Sequence, residues 1–292
     1  MRLQHWLANR LILRPSRHAI EASGLQACAI PLAATGVVPA GTLECFAARQ
    51  CPGSELPRGD SRAEGSRAFP VESSEPPELL ILKLPGTAGR AERSTLFPAS
   101  LLGHRTAEVW TCNPPGYGRS TGRASLAAVA AAAVHFFDWV AARRRDQRTV
   151  VWLCGNSLGS ATALHVAASR RVDGLVLRNP PPLVDLVRLR GGWWNLVGGG
   201  NWVASGIPHE MDAVATATGV FAPIVFIESG ADTLVPPSLQ QHIRDAHPGP
   251  QRTVQLAGAE HDTPLSEADR PAIREAVGWL WEQQGEGNSG AK

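Results

Sequence analysis

The sequence is poor in several residue types, and each shortage excludes a class of protein. It has only two lysines and a net charge of +2, which excludes the strongly basic composition typical of a nucleic-acid binder. Only 18% of the residues are charged, whereas 43% are hydrophobic. This balance predicts a globular protein with a sizeable core and no nucleic-acid partner.

Cysteine is also scarce and irregularly placed. The five cysteines are odd in number, and no two of them form a C-x-x-C pair. The sequence therefore predicts neither a disulfide framework nor a zinc site. We expect the thiols to be small buried side chains in a reducing compartment.

Long apolar runs are missing as well. Residues 126–142 come closest to the ~18 apolar residues of a membrane span, but His135 and Asp138 interrupt them. The arginines at 143–145 follow, and we expect them to be solvated and to compensate the helix dipole. Residues 1–14 lack the apolar run and cleavage site of a signal peptide, so the chain is predicted to be cytoplasmic.

The same N-terminal residues predict a helix packed on the body of the protein, with an interfacial helix as the alternative. Membrane contact and oligomeric state stay open. The length predicts a single domain over 1–292. Within it we expect a long polar surface loop at about 51–78, an insertion at about 183–221 and a polar tail at 285–292.

Short apolar runs alternate with helical patterns after the polar loop. Strands are predicted at 79–84, 107–112, 149–154, 172–177, 224–228 and 253–256, and helices at 91–102, 124–144, 160–169, 237–246 and 270–283. Two antiparallel strands, at 25–31 and 43–48, precede them. The alternation predicts an α/β fold with a mostly parallel sheet of about eight strands, flanked by helices on both faces. Chemistry is then expected at the carboxyl ends of the strands.

The clearest candidate nucleophile is Ser157. The sequence Gly155-Asn156-Ser157-Leu158-Gly159 follows one predicted strand and opens a predicted helix, which is the context of a nucleophile elbow. A second G-x-S-x-G match lies at 118–122, but it does not follow a strand directly. Its Ser120 is predicted to be a turn or capping residue.

A serine nucleophile needs a base and a group that orients the base. Asp232 follows the predicted strand 224–228, and His261 follows the predicted strand 253–256. Their order after Ser157, acid first and histidine second, is that of strand-end triads in this type of sheet. Asp185 and the neighbouring Asp262 are the alternatives for the acid.

Two backbone amides should stabilise the oxyanion. One is that of Leu158, directly after the nucleophile and at a helix N-terminus. The other should come from the loop after strand 79–84, where Thr87 is our first choice and Ala88 the alternative.

These motifs together resemble the α/β-hydrolase superfamily, from Leu79 to Leu280, and in particular its serine hydrolases that act on acyl esters and thioesters. The segment from Asn113 to Gly122 resembles the turn after the fourth strand. Relatives usually begin their oxyanion loop with His-Gly, where this chain has Pro85-Gly86. The resemblance implies ester or thioester hydrolysis of a small-molecule or acylated substrate, with neither a cofactor nor a metal. A peptidase or amidase on the same triad, or a catalytically silent binding protein, are the alternatives.

The insertion at 183–221 is short for a cap of this superfamily. It carries Trp193, Trp194 and Trp202 between clusters of glycine. Mobile glycines beside large apolar side chains favour a small lid over an acyl pocket. The alternative is that these tryptophans pack the insertion onto the body.

Overall fold

A computed structural model describes residues 2–22, 24–51, 75–191 and 198–286 of the chain. Most of the predicted polar loop at 51–78, the tail from 287 onward, and both Trp193 and Trp194 therefore lie outside the described residues.

The described residues form one eight-stranded sheet in the order β1-β2-β4-β3-β5-β6-β7-β8. The strands are β1 (Gln26–Leu32), β2 (Gly41–Gln50), β3 (Leu79–Leu84), β4 (Ala107–Cys112), β5 (Val150–Asn156), β6 (Gly174–Arg178), β7 (Ile224–Ser229) and β8 (Gln251–Leu256). β1 and β2 are antiparallel, and β3 to β8 run parallel to one another. The predicted sheet is confirmed, and each predicted strand lies within two residues of an observed one.

Helices cover both faces of this sheet. They are α1 (Leu3–Ile12), α2 (Leu126–Arg144), α3 (Leu158–Ser169), α4 (Leu183–Arg190), α5 (Gly199–Ala204), α6 (Ala213–Ala217), α7 (Pro237–Ala246) and α8 (Arg270–Glu286). Residues of α2 and α3 share one large apolar cluster, and residues of α8 belong to a second cluster with strand residues. Both faces of the central strands are therefore buried, as parallel strands require.

Helix α2 is the one described helix that is long and apolar enough to cross a membrane. Its residues Leu126, Val129, Phe136 and Val140 are buried in the core cluster beneath the sheet. Burial against its own protein accounts for the apolar composition, so α2 is a core helix.

The predicted helix at 91–102 is wrong. The structure has only two short 3₁₀ turns there, Ala91–Arg93 and Ala99–Leu102. Pro98 lies between them and has no N–H to donate, which breaks an α-helical ladder. The N–H of Ala91 is taken instead by the side-chain oxygen of Asn113, at 3.0 Å.

The expectation of a solvated arginine run at 143–145 is wrong for Arg144. Its guanidinium forms an ion pair with Glu108 of β4, whose side chain is fully buried. The hydrogen bond that Arg144 donates to Glu108 raises the pKa of Arg144 above its ordinary value. Arg49 of β2 pairs with the same carboxylate at 2.8 Å, so the cluster joins two strands to the end of α2.

Candidate active site

Ser157 occupies the sharp turn between β5 and α3. Its backbone has φ 50° and ψ −121°, a region that non-glycine residues rarely adopt. The turn requires glycine on both sides. A Cβ at Gly155 would meet the Cα of Ser160 at 2.5 Å, and one at Gly159 would meet the carbonyl oxygen of Leu84 at 1.9 Å. The local geometry is that of a nucleophile elbow.

His261 follows β8 and bridges the two other residues of the predicted triad. Its Nε2 lies 2.9 Å from the Oγ of Ser157, and its Nδ1 lies 2.6 Å from the Oδ2 of Asp232. The imidazole is largely buried and the Asp232 side chain is fully buried. Three side chains that are far apart in sequence thus form one hydrogen-bonded chain.

Asp232 is held by the loop that follows β7. Its Oδ1 accepts hydrogen bonds from the N–H groups of Leu234, at 2.9 Å, and Val235, at 2.7 Å. These bonds leave Oδ2 facing His261. The loop therefore fixes the carboxylate in the orientation that selects one imidazole tautomer.

Asn179, which was not predicted as a site residue, connects the loops of this site. Its Nδ2 donates to the carbonyl of His261 and to the Oγ of Ser229, both at 3.0 Å, and its Oδ1 accepts from the N–H of Ser229. Asn179 is fully buried at the end of β6 with φ 45°. Its position two residues after the predicted strand 172–177, before three prolines, was the available signal.

Two alternatives for the triad, Asp185 and Ser120, make their contacts outside this hydrogen-bonded chain. Asp185 is on α4 and contacts His242 at 2.9 Å and Arg188 at 3.5 Å. Ser120 is buried, donates to the carbonyl of Asn113 and accepts from the N–H of Glu44. The Ser120 hydroxyl therefore stabilises the turn in which it lies.

Leu158 and Thr87, whose amides are the predicted oxyanion donors, line the same cavity as Ser157. Within the described part of the chain, neither N–H donates a hydrogen bond. An oxyanion hole needs donors that the protein itself does not use, and the role of these two amides stays a prediction.

The loop that carries Thr87 is tied down by residues outside it. The Thr87 hydroxyl donates to the carbonyl of Ile12, at the end of α1, and its carbonyl accepts from the hydroxyl of Tyr117 at 2.8 Å. Burial raises the pKa of Tyr117, which keeps the phenol a donor. These bonds hold the loop that begins with Pro85-Gly86.

The cavity at Ser157 has a volume of about 760 Å³ and is mainly apolar. Its walls come from α1, α4, α5 and the loop after β7, including Leu11, Ile12, Leu186, Val187, Val203 and Val235. The contribution of α1 was not predicted. A separate cavity of about 560 Å³ is lined in part by Pro85, Gly86 and Gly89, and Ser157 does not line it.

The predicted pocket role of Trp202 is not met. Trp202 is on α5 and does not line the cavity, and its side chain is 44% exposed. Val203 lines the cavity instead, because consecutive residues of a helix point about 100° apart. Trp193 and Trp194 fall outside the described residues.

The described residues offer no metal site: no group of three or more His, Cys, Asp or Glu side chains is arranged to hold an ion. The five cysteines are free, and Cys45, Cys112 and Cys154 are buried.

Residues 84–201 match a family model described as alpha/beta hydrolase fold. An uncharacterized protein of Mycobacterium tuberculosis (strain H37Rv) is 28% identical over 150 residues, which are 51% of this chain and 51% of that protein. The chain thus spans about half the length of the curated relatives it matches.

Solved structures share the fold at low identity. The Pyrococcus furiosus esterase PF2001 has a TM-score of 0.60 at 13% identity, covering 94% of this chain and 97% of that chain. Est1E from Butyrivibrio proteoclasticus has a TM-score of 0.58 at 17% identity, covering 87% of this chain and 98% of that chain. By its strand order, its elbow and these similarities, the described part of the chain has the α/β-hydrolase fold.

Proposed function

We propose that this chain is a serine hydrolase that cleaves carboxylic esters or thioesters through an acyl intermediate on Ser157. The observation that carries the proposal is the hydrogen-bonded chain from Asp232 through His261 to Ser157, which opens on an apolar cavity. A nucleophile, a base and an orienting carboxylate in contact are the parts that acyl transfer requires. The fold shared with a protein named as an esterase, from Pyrococcus furiosus, agrees with the proposal.

In the acylation step, Ser157 Oγ attacks the substrate carbonyl carbon while His261 Nε2 accepts the hydroxyl proton. Asp232 holds the imidazole and stabilises its positive charge. The amides of Leu158 and Thr87 donate to the oxyanion of the tetrahedral intermediate. The bond to the alcohol or thiol then breaks, and the leaving group takes the proton from His261.

Deacylation uses the same groups on water. His261 removes a proton from a water molecule, whose oxygen attacks the acyl carbon bound to Ser157. The second tetrahedral intermediate collapses, the carboxylic acid leaves, and Ser157 recovers the proton from His261. The reaction written in this way needs only the side chains named and water.

The apolar cavity is suited to bind the acyl chain of the substrate. Its walls are mainly aliphatic, and burying apolar surface stabilises a complex by about 25 cal/mol for each Å². Longer acyl chains bury more of that surface than an acetyl group does. We therefore propose a preference for chains longer than acetyl.

Covalent labelling with a fluorophosphonate tests the nucleophile. We expect one label per chain by intact mass, and none in Ser157→Ala, whose ester hydrolysis should fall on the order of 10⁶-fold in kcat. Ser120→Ala is the matched control and should keep the label. A folded wild-type sample that takes no label contradicts the proposal and favours a silent binding protein.

A series of p-nitrophenyl esters tests the acyl pocket. Val203→Trp should fill part of the cavity and shift the optimum of kcat/KM toward shorter chains, because Val203 lines its wall. Trp202→Ala, one residue away and outside the cavity, is the control and should leave the chain-length profile unchanged. Turnover of matched anilides that equals that of the esters would point to an amidase.

A further inference from the structure

Helix α1 leaves three large apolar side chains exposed to solvent. Leu3, Trp6 and Leu11 are exposed, whereas Ala8 and Ile12 pack in the apolar core. An ordinary surface helix keeps its large apolar side chains in the stripe that faces the core, so these three side chains need a separate explanation.

The polar residues of α1 have defined partners in the body. His5 Nδ1 donates to the carbonyl of Gly206 at 2.9 Å, and Asn9 Oδ1 accepts from the N–H of Leu126 at 2.8 Å. A Cβ at Gly206 would meet the carbonyl oxygen of Gln4 at 2.3 Å, so the helix lies directly against the chain there. These contacts fix the orientation of α1, and they leave Leu3, Trp6 and Leu11 on the exposed side.

Exposed apolar residues are concentrated around the cavity of Ser157. In the part of the chain that the structure describes, eight large hydrophobic residues are exposed. Six of them lie on α1, α4, α5 and the loop after β7, which are the elements that wall the cavity. We call these six the apolar rim: Leu3, Trp6, Leu11, Leu189, Trp202 and Leu234. They are 39% to 60% exposed.

The charge beside the apolar rim is almost entirely positive. Arg2, Arg10 and Arg14 lie on or next to α1, and Arg188 and Arg190 lie on α4. Asp185 is the one acidic residue within helices α1, α4 and α5, and it already contacts His242 and Arg188. Arg10 also lies over the Trp6 ring, 5.8 Å from its centroid.

From the apolar rim and its arginines, we propose that this face docks on an anionic lipid surface and directs the opening of the Ser157 cavity toward the lipid. Apolar side chains flanked by arginine are the composition that binds the interface of anionic membranes. The arginine stems can lie along the apolar groups while their guanidinium groups reach the lipid phosphates. A second copy of the chain would bring the arginines of both copies together, which opposes a face-to-face dimer.

Docking in this way gives an acyl substrate a short path. The rim residues Leu11 and Leu234 also line the cavity, so apolar surface is continuous from the exposed face to Ser157. An acyl chain can pass from the lipid to the cavity without crossing water. The inference concerns binding, and it stands or falls apart from the hydrolysis proposed above.

Co-sedimentation with vesicles tests the docking. The full chain, carrying Ser157→Ala so that no turnover occurs, is mixed with vesicles of phosphatidylcholine alone or of phosphatidylcholine with phosphatidylglycerol. We expect binding to the phosphatidylglycerol vesicles, weakened by salt. The double variant Leu3→Ser/Trp6→Ser should partition roughly tenfold or more weakly, because two apolar side chains no longer enter the interface.

Two control variants separate docking by this face from nonspecific adsorption of the protein to vesicles. Phe221 is 72% exposed but precedes β7, at the amino edge of the sheet, so Phe221→Ser should leave binding unchanged. Arg2→Gln and Arg10→Gln should each weaken binding ~5-fold, from about 1 kcal/mol for each basic residue near an anionic surface. Arg148→Gln, before β5 at the same amino edge, should have no effect. All variants should keep the melting temperature of the wild type, since each residue is exposed.

Three results would overturn the proposal. The first is a wild-type chain that does not bind phosphatidylglycerol vesicles. The second is an equal loss of binding in Phe221→Ser and in Leu3→Ser/Trp6→Ser. The third is a wild-type dimer in sedimentation velocity that Leu3→Ser/Trp6→Ser dissociates, because the rim would then bind a second copy.

Discussion

Asp232 uses its two carboxylate oxygens for different contacts. Oδ1 accepts from two backbone N–H groups, and Oδ2 accepts from the Nδ1–H of His261. An amide in place of the carboxylate cannot make both sets of contacts, because its NH₂ group would face either a backbone donor or the imidazole donor.

Asp232→Asn should therefore lower kcat for a p-nitrophenyl ester about 10⁴-fold, because the imidazole takes the wrong tautomer, while the fold is kept. Steady-state kinetics and circular dichroism measure the two effects. Asp185→Asn, which changes a carboxylate that contacts His242 at the surface, is the matched control and should keep normal kcat. Equal losses in both variants would contradict the role proposed for Asp232.

At the scale of elements, one buried carboxylate joins three of them. Glu108 of β4 contacts Arg49 of β2, Arg144 of α2 and the indole N–H of Trp110, whose Nε1 lies 3.0 Å from Oε2. Its side chain has no exposed surface. A buried charge of this kind is tolerated because every oxygen has a donor.

Glu108→Gln should lower the free energy of unfolding by about 3–5 kcal/mol, since two arginines lose their counter-ion in a buried place. Urea denaturation measures the change. Glu267→Gln is the control: Glu267 is mostly exposed beside Arg270, and the variant should stay within about 0.5 kcal/mol of wild type. A Glu108→Gln variant as stable as that control would show that the cluster does not hold the elements together.

For the whole molecule, one buried histidine, His247, and one half-buried histidine, His165, link stability to pH. Burial lowers the pKa of His247 and of His165 below the ordinary value of about 6.5. The unfolded chain then binds protons more readily than the folded chain as the pH falls through that value. The free energy of unfolding should therefore be highest above about pH 6.5 and decrease below it.

His247→Leu should make the melting temperature less sensitive to pH between about 7 and 5. The substitution removes one group that binds a proton more readily in the unfolded chain than in the folded chain. Thermal melts across that range measure the slope. Ile243→Val, a core substitution on the neighbouring turn of α7, should lower the melting temperature at every pH by a similar amount. A slope that is the same in wild type and His247→Leu would exclude His247 as a cause.

Local sequence patterns predicted most of the sheet because the signals lie within each strand. Apolar runs that end at or near glycine or proline marked the parallel strands other than β8, whose residues alternate between polar and apolar, and Pro237 at the start of α7 marked that helix. The helix predicted at 91–102 failed because Pro98 and a side-chain contact from Asn113 override the local helical pattern. Helix α3 begins at Leu158, two residues earlier than predicted, because the elbow turns directly into it.

By itself, the sequence determined the elbow at Ser157, the order of Asp232 and His261 after it, and the parallel sheet that places them at one edge. These features depend on short patterns and on the rule that parallel strands end together. Only the tertiary structure decided that α1 walls the cavity, that Asn179 ties the histidine loop, and that Arg144 is paired with a buried carboxylate. Each of these depends on contacts between residues about 35 to 200 positions apart in the chain, and packing, not local pattern, selects such contacts.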